Sequence, residues 1–276
     1  MINKILIFLV IFTFKIYVAQ INQYNSNNNK NGPWVEYYKG DLTLSSDNKY
    51  TVNGKEYMFD YIGTSKNLLY SGNYIDGLKD GEWTLFYEGN EKCLSGNYIK
   101  GLKNGEWFTF YKSGEKSGII NYKDGYLNGV MQYFNLRGEI LSKKNFVNGV
   151  CEGKFEDFYD GGKKKSIDFY INGYNNGKSI EFHENGNILK NCSYKNGKLY
   201  GLYATYFENG KTYEKGKYKN NLEEGKWFGF FENGKIRYKA IFKKGDANLY
   251  YREYDKDGKL ISTKFEKEEE PLFQSE

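Results

Sequence analysis

The chain has 276 residues and a formal net charge of +5, with one histidine, three cysteines and two prolines against 28 tyrosines and 20 phenylalanines. Such an aromatic composition suits strands, and Pro33 and Pro271 bracket the chain without interrupting its middle, as a continuous hydrogen-bonded sheet requires. The single His183 and the dispersed Cys93, Cys151 and Cys192 argue against zinc sites and Cys–His or Ser–His nucleophiles, and three cysteines exclude a full disulfide framework.

In chain order, residues 1–20 place Lys4 before the apolar run Ile5 to Phe14. A basic start with about ten apolar residues is expected to be a signal peptide, too short for a spanning helix. It implies export to the periplasm, the cell surface or the medium. Residues 21–31 are Asn-rich, without hydrophobic pattern, and are expected to be a mobile linker. Residues 32–80 are expected to hold degenerate first repeats: Gly32-Pro33-Trp34-Val35-Glu36-Tyr37-Tyr38 is an isolated opening, and 41 to 62 is irregular.

Regular repeats occupy residues 81–248. Gly81, Gly105, Gly129, Gly153, Gly177, Gly201 and Gly225 stand 24 residues apart, a period that marks a repeat architecture. Two columns are aromatic in every repeat. One, five residues after the glycine, begins Phe86, Phe110, Phe134; the other, seventeen after it, begins Tyr98, Tyr122, Phe146. Both are expected to be the packing rungs. A looser column two residues after the glycine reads Trp83, Trp107, Met131, Phe155, Ser179, Tyr203, Trp227 and is expected to be free to vary. Asn185-Gly186, Asn209-Gly210 and Asn233-Gly234 fall in mid-repeat, and Asn148-Gly149, Asn172-Gly173 and Asn196-Gly197 fall at repeat boundaries. Asn-Gly favours tight hairpins in which both central residues take positive φ. The expected fold is all-β: an elongated array of antiparallel hairpins forming a single twisted sheet, advancing about 10 Å per two-stranded repeat. Residues 249–265 are expected to cap it, and 266–276 to be a charged, disordered tail.

The recurring Gly-x-Trp-x-x-Phe-Tyr followed by Asn-Gly-Lys, best seen at Gly81-Glu82-Trp83, at Phe230-Phe231-Glu232-Asn233-Gly234-Lys235 and at Tyr194-Lys195-Asn196-Gly197-Lys198, resembles the MORN repeat. More narrowly it is similar to the bacterial variant of the YwqK-type antitoxin family. The resemblance covers about residues 57–260 and implies a binding module, with sequestration of a toxin as the role that the family name carries. Other proteins with related repeats serve as scaffolds or associate with membrane lipid.

No residue pattern announces catalysis. His183 occupies a column otherwise filled by rings such as Tyr87, Tyr111 and Tyr159 and reads as a replaced rung. Glu152, Glu156 and Asp157 are close in sequence, but a paired-acid site needs two carboxylates across a cleft. The glycines follow turns and make no phosphate loop. No cofactor, metal or small-molecule substrate is therefore expected, and the chain reads as a non-enzyme. Lysine is interleaved with acid and arginine is confined to positions 137, 237 and 252, whereas nucleic-acid binders concentrate basic residues on one face. The expected partner is a protein, with a toxin as the specific candidate; the alternative is an envelope protein that holds lipid or cell-wall glycan. Tyr and Trp are favoured at binding hot spots, so the candidate contact residues are Trp83, Tyr87, Trp107, Tyr111, Tyr159, Tyr203 and Trp227, either as an exposed stripe or as rings that pack the sheet.

Overall fold

The computed structural model describes residues 23–37, 49–52, 55–58, 69–87 and 91–265. The expected leader and tail lie outside the described residues. Among the described residues there is no helix, and the strands pair antiparallel. The fold is an all-β array of hairpins on a 24-residue period. It divides into two units, residues 1–150 and 151–276.

In the first unit Lys30–Tyr37 pairs with Leu69–Ile75, and each strand then pairs with the next through Leu78–Phe86, Lys92–Ile99, Leu102–Phe110 and Lys116–Lys123. Gly129–Phe134 and Ile140–Val147 make a further hairpin. Two stretches differ from expectation. Part of the Asn-rich segment is ordered: Gln23–Tyr24 pairs with Lys30–Tyr37, and Asn25 Oδ1 accepts the amides of Asn27 and Asn29 at 3.0 Å each. The asparagines close a turn because their side chains substitute for backbone partners. Asn25 Nδ2 also donates to Asp76 at 2.8 Å, docking this hairpin on the first regular turn. Within the stretch read as irregular, Lys49–Val52 pairs with Lys55–Met58.

In the second unit Gly153–Phe158, Lys164–Ile171, Gly177–Phe182, Ile188–Lys195, Lys198–Tyr206, Thr212–Lys219, Leu222–Phe230, Ile236–Lys243, Asp246–Tyr254 and Leu260–Phe265 follow in order, each paired antiparallel with its neighbours.

The two turn sets are built differently. At repeat boundaries both central residues are left-handed, as in Asn172 and Gly173 (φ 50° and 80°) or Lys100 and Gly101 (φ 49° and 81°). This two-residue turn matches strand twist. In mid-repeat Asn-Gly turns only the glycine is left-handed, which corrects the expectation of two positive φ values. Phe207 N donates to Lys211 O at 2.8 Å, Gly210 N donates to Phe207 O at 2.9 Å, and the register shifts at Thr205/Tyr206. That is a three-residue loop with a glycine bulge. The asparagine is used through its side chain instead. Asn209 Oδ1 accepts the Lys211 amide at 3.0 Å and Asn209 Nδ2 reaches Glu232 Oε1 of the next repeat at 3.1 Å, while Lys211 Nζ donates to Glu232 O at 3.0 Å. Asn233 and Lys235 repeat the clamp on Lys256 O and Asp257 O. The Asn-Gly-Lys motif therefore sews one hairpin to the next.

Candidate functional site

The seven sequence candidates separate into two structural roles. Trp83, Trp107 and Trp227 are 4, 2 and 2% exposed, and Tyr203 is half-buried. An exposed stripe at this column is therefore corrected: the loosest column in the sequence is the most deeply buried, and the strict columns are mostly half-buried, Phe146 excepted. The reason is a three-residue packing unit that crosses the repeat boundary. Trp83 lies over Gly72, Trp107 over Gly96 and Trp227 over Gly216, so closely that a Cβ on any of these glycines would stand 2.2 to 2.3 Å from the indole. The indole N–H donates to the carbonyl just beyond the glycine, Asn73 O at 3.0 Å, Asn97 O at 3.1 Å or Lys217 O at 3.2 Å. The tyrosine two residues after the glycine meets the indole edge-on, with centroids 5.0 Å apart for Tyr74–Trp83 and Tyr98–Trp107 and 5.1 Å for Tyr218–Trp227.

These units join into a ladder. In the first unit rings alternate Tyr74, Trp83, Tyr98, Trp107, Tyr122 with every contact edge-to-face. Each such pair adds about 0.5–1.5 kcal/mol beyond area burial. Lys79 and Lys103 lie 4.6 Å over Trp83 and Trp107. In the second unit Tyr203, Tyr218, Trp227 and Phe242 continue the same pattern. The sequence signal for this unit is Gly-x-Tyr followed nine residues later by Trp, as in Gly72-Asn73-Tyr74 with Trp83, Gly96-Asn97-Tyr98 with Trp107, and Gly216-Lys217-Tyr218 with Trp227. Reading the columns within single repeats missed it.

Tyr87, Tyr111 and Tyr159 have another role. Their hydroxyls donate to Phe110 O at 2.8 Å, Phe134 O at 2.6 Å and Phe182 O at 2.7 Å, each in the following repeat. His183 sits in the same column and its Nε2 lies 3.0 Å from Tyr206 O, so the ring supplies an equivalent inter-repeat bond with Nε2 carrying the proton. Cys93, Cys151 and Cys192 are buried and form no disulfide. Among the described residues no three His, Cys, Asp or Glu gather as a metal-holding group.

Burial raises the phenol pKa of Tyr218 and Tyr238, with the neighbouring Glu223 and Glu214 carboxylates adding to it; Tyr218 donates to Glu223 at 3.1 Å and Tyr238 to Glu214 at 3.1 Å. A phenol held neutral in the fold keeps its proton above about pH 10, where the unfolded chain loses it. The stabilisation is therefore complete below about pH 10 and is lost as pH rises beyond it. The melting temperature is expected to stay level from about pH 7 to 9 and fall above about pH 10, tyrosinate absorbance appearing with unfolding. Replacing both residues by Phe should make that fall shallower without abolishing it, because burial also raises the phenols of Tyr87, Tyr194, Tyr203 and Tyr251.

Two exposed surfaces stand out among the described residues. In the first unit, residues flanking the two-residue turns form a ridge: Ile75, Leu78, Ile99, Leu102, Tyr126 and Val147 are each about half exposed, with Leu78 packed on Gly101 and Leu102 on Gly125. In the second unit, the sheet face opposite the ladder holds an open groove of about 490 Å³, its floor including Leu202 and Phe228 and its walls Lys178, Lys215, Lys217 and Lys226. Strand alternation sends neighbouring residues to opposite faces, so lysines and acids that alternate in the sequence are here sorted by face. One cross-strand row carries Lys215, Lys239 and Arg252. The row one residue along, on the ladder face, carries Glu181, Glu214 and Glu253, with Lys190 bonded to Glu181. A basic face does exist in this unit, which corrects the reading of evenly interleaved charge.

Residues 103–124, 175–196, 199–220 and 223–244 match the MORN repeat variant. No curated protein matches the chain. Repeats of this kind are generally binding and scaffold modules, and the chain fits a non-catalytic repeat protein whose hairpins are similar to the MORN repeat variant at four places.

Proposed function

We propose that this chain is an exported scaffold that binds a protein partner, with neutralisation of a toxin as its specific role. The observation that carries the reading is the ridge in the first unit. Single exposed apolar residues are ordinary on any surface. Here aliphatic side chains recur half-exposed at the same two positions of successive repeats, Ile75 and Ile99, Leu78 and Leu102. A contiguous apolar row of that kind is a contact surface in want of a partner. The toxin role rests on the resemblance to the YwqK-type antitoxin family, and export rests on the apolar leader.

The test is capture from an envelope fraction with residues 21–276 as bait, beside the same chain carrying Ile99→Asn and Leu102→Asn. One stoichiometric protein held by the parent and released by the variant supports the scaffold, and a toxin as that protein supports the finer role. Lipid or cell-wall glycan recovered without protein replaces the reading with an envelope-binding one.

A further inference from the structure

The groove of the second unit has a chemistry distinct from the ridge. Its four lysines, Lys178, Lys215, Lys217 and Lys226, surround Leu202 and Phe228; Glu224 stands cross-strand from Lys217 but accepts the Lys244 amide at 3.0 Å, and none of the residues lining the groove is acidic. One repeat earlier the same face carries an acid: Glu156 accepts Lys154 at 2.7 Å and Lys164 at 3.1 Å, and these lysines hold its carboxyl below the usual carboxylate range. Beyond the groove the positive row continues, with Lys239 directly opposite Arg252 across the hairpin. Leu202 is 70% exposed at the centre of this charged frame.

We propose that this groove is the docking site for an extended, acidic protein segment, its carboxylates set on the lysines and an apolar side chain seated on Leu202 and Phe228. The inference rests on the protein-binding reading and names the partner's chemistry. An extended segment sends alternate side chains to opposite sides, so acidic and apolar residues in alternation would present apolar groups to the floor. The walls are lysine, a compact charge that meets a carboxylate from any direction, whereas phosphate recognition favours the arginine fork. Aliphatic surface at Leu202 is covered by a leucine or phenylalanine side chain, and its removal from water adds to the charge term.

The test titrates residues 21–276 with a fluorescent peptide of alternating Glu and Leu, with single-stranded oligothymidylate and with phosphatidylserine–phosphatidylcholine vesicles. The peptide is expected to bind most tightly and to weaken as salt is raised. Lys215→Glu with Lys217→Glu is expected to weaken it by about tenfold or more, and Leu202→Asn to weaken it without any change of charge. Lys112→Glu with Lys123→Glu, the same charge change at exposed sites in the first unit, is expected to leave it within about twofold. Equal losses from both charge-reversed pairs, no loss with Leu202→Asn, or preference for the oligonucleotide or the vesicles overturns the groove. Retention of the captured envelope protein by the Lys215→Glu, Lys217→Glu variant overturns the groove while leaving the scaffold reading intact. Groove-specific peptide binding beside an empty envelope capture does the reverse.

Discussion

Trp107→Ala is expected to lower stability by about 3–5 kcal/mol, a large share of the roughly 5–15 kcal/mol that holds a typical domain. Trp107 is 2% exposed, so truncation removes a buried ring and leaves a cavity rather than a collapsed surface. The change also breaks two rungs of the ladder, since Tyr98 and Tyr122 both lie edge-on to this indole at 5.0 and 6.1 Å. The Asn97 carbonyl loses its donor as well. In an array held by neighbour contacts, loss at one repeat weakens the junction on either side. Denaturant unfolding followed by circular dichroism should show an earlier, broader transition. An unchanged midpoint would mean that Trp107 is not part of the core, and would restore it as a free contact residue.

Gly96→Ala is the converse experiment, and its expected cost is about 1–3 kcal/mol. The added Cβ would stand 2.3 Å from the Trp107 ring, and the indole cannot withdraw because its N–H is fixed on Asn97 O at 3.1 Å. The next repeat shows how the same space is filled differently. There Ile120 stands where Gly96 does and Met131 where Trp107 does, and both are buried, at 1 and 2% exposed. Gly96→Ile together with Trp107→Met should therefore recover most of the stability that either change removes alone. The coupling is read as the difference between the double variant and the sum of the singles. Additive losses would show that the glycine and the tryptophan do not share one packing site.

The repeat period and the hairpins were legible because glycine and asparagine mark turns by backbone geometry, which any repeat must satisfy. The boundary turns behaved as Asn-Gly turns should, even where Lys100 or Lys244 takes the left-handed place at φ 49° and 53°. Burial was harder to read. A column that is aromatic in every repeat looks like a core, yet Phe86, Phe110 and their equivalents are half-buried, and Phe110, Phe134 and Phe182 lend their carbonyls to tyrosines of the preceding repeat. The variable column is the core because its size is balanced against a different variable position eleven residues earlier, Gly96 for Trp107 and Ile120 for Met131. Complementary variation of that kind is invisible when each column is judged by its constancy. Charge was misleading for a related reason: Glu214 and Lys215 are neighbours in the chain and lie on opposite faces of the strand.

Residue-resolved hydroxyl-radical footprinting of the intact chain tests this division between core and surface most directly. Tyr126 and Tyr174, 62 and 54% exposed, should be oxidised readily in the native protein. Trp83, Trp107 and Trp227 should be protected despite the greater intrinsic reactivity of indole, and should lose that protection only on unfolding. Native tryptophans oxidised as fast as those of the unfolded chain would contradict the buried ladder and return the tryptophan column to the surface.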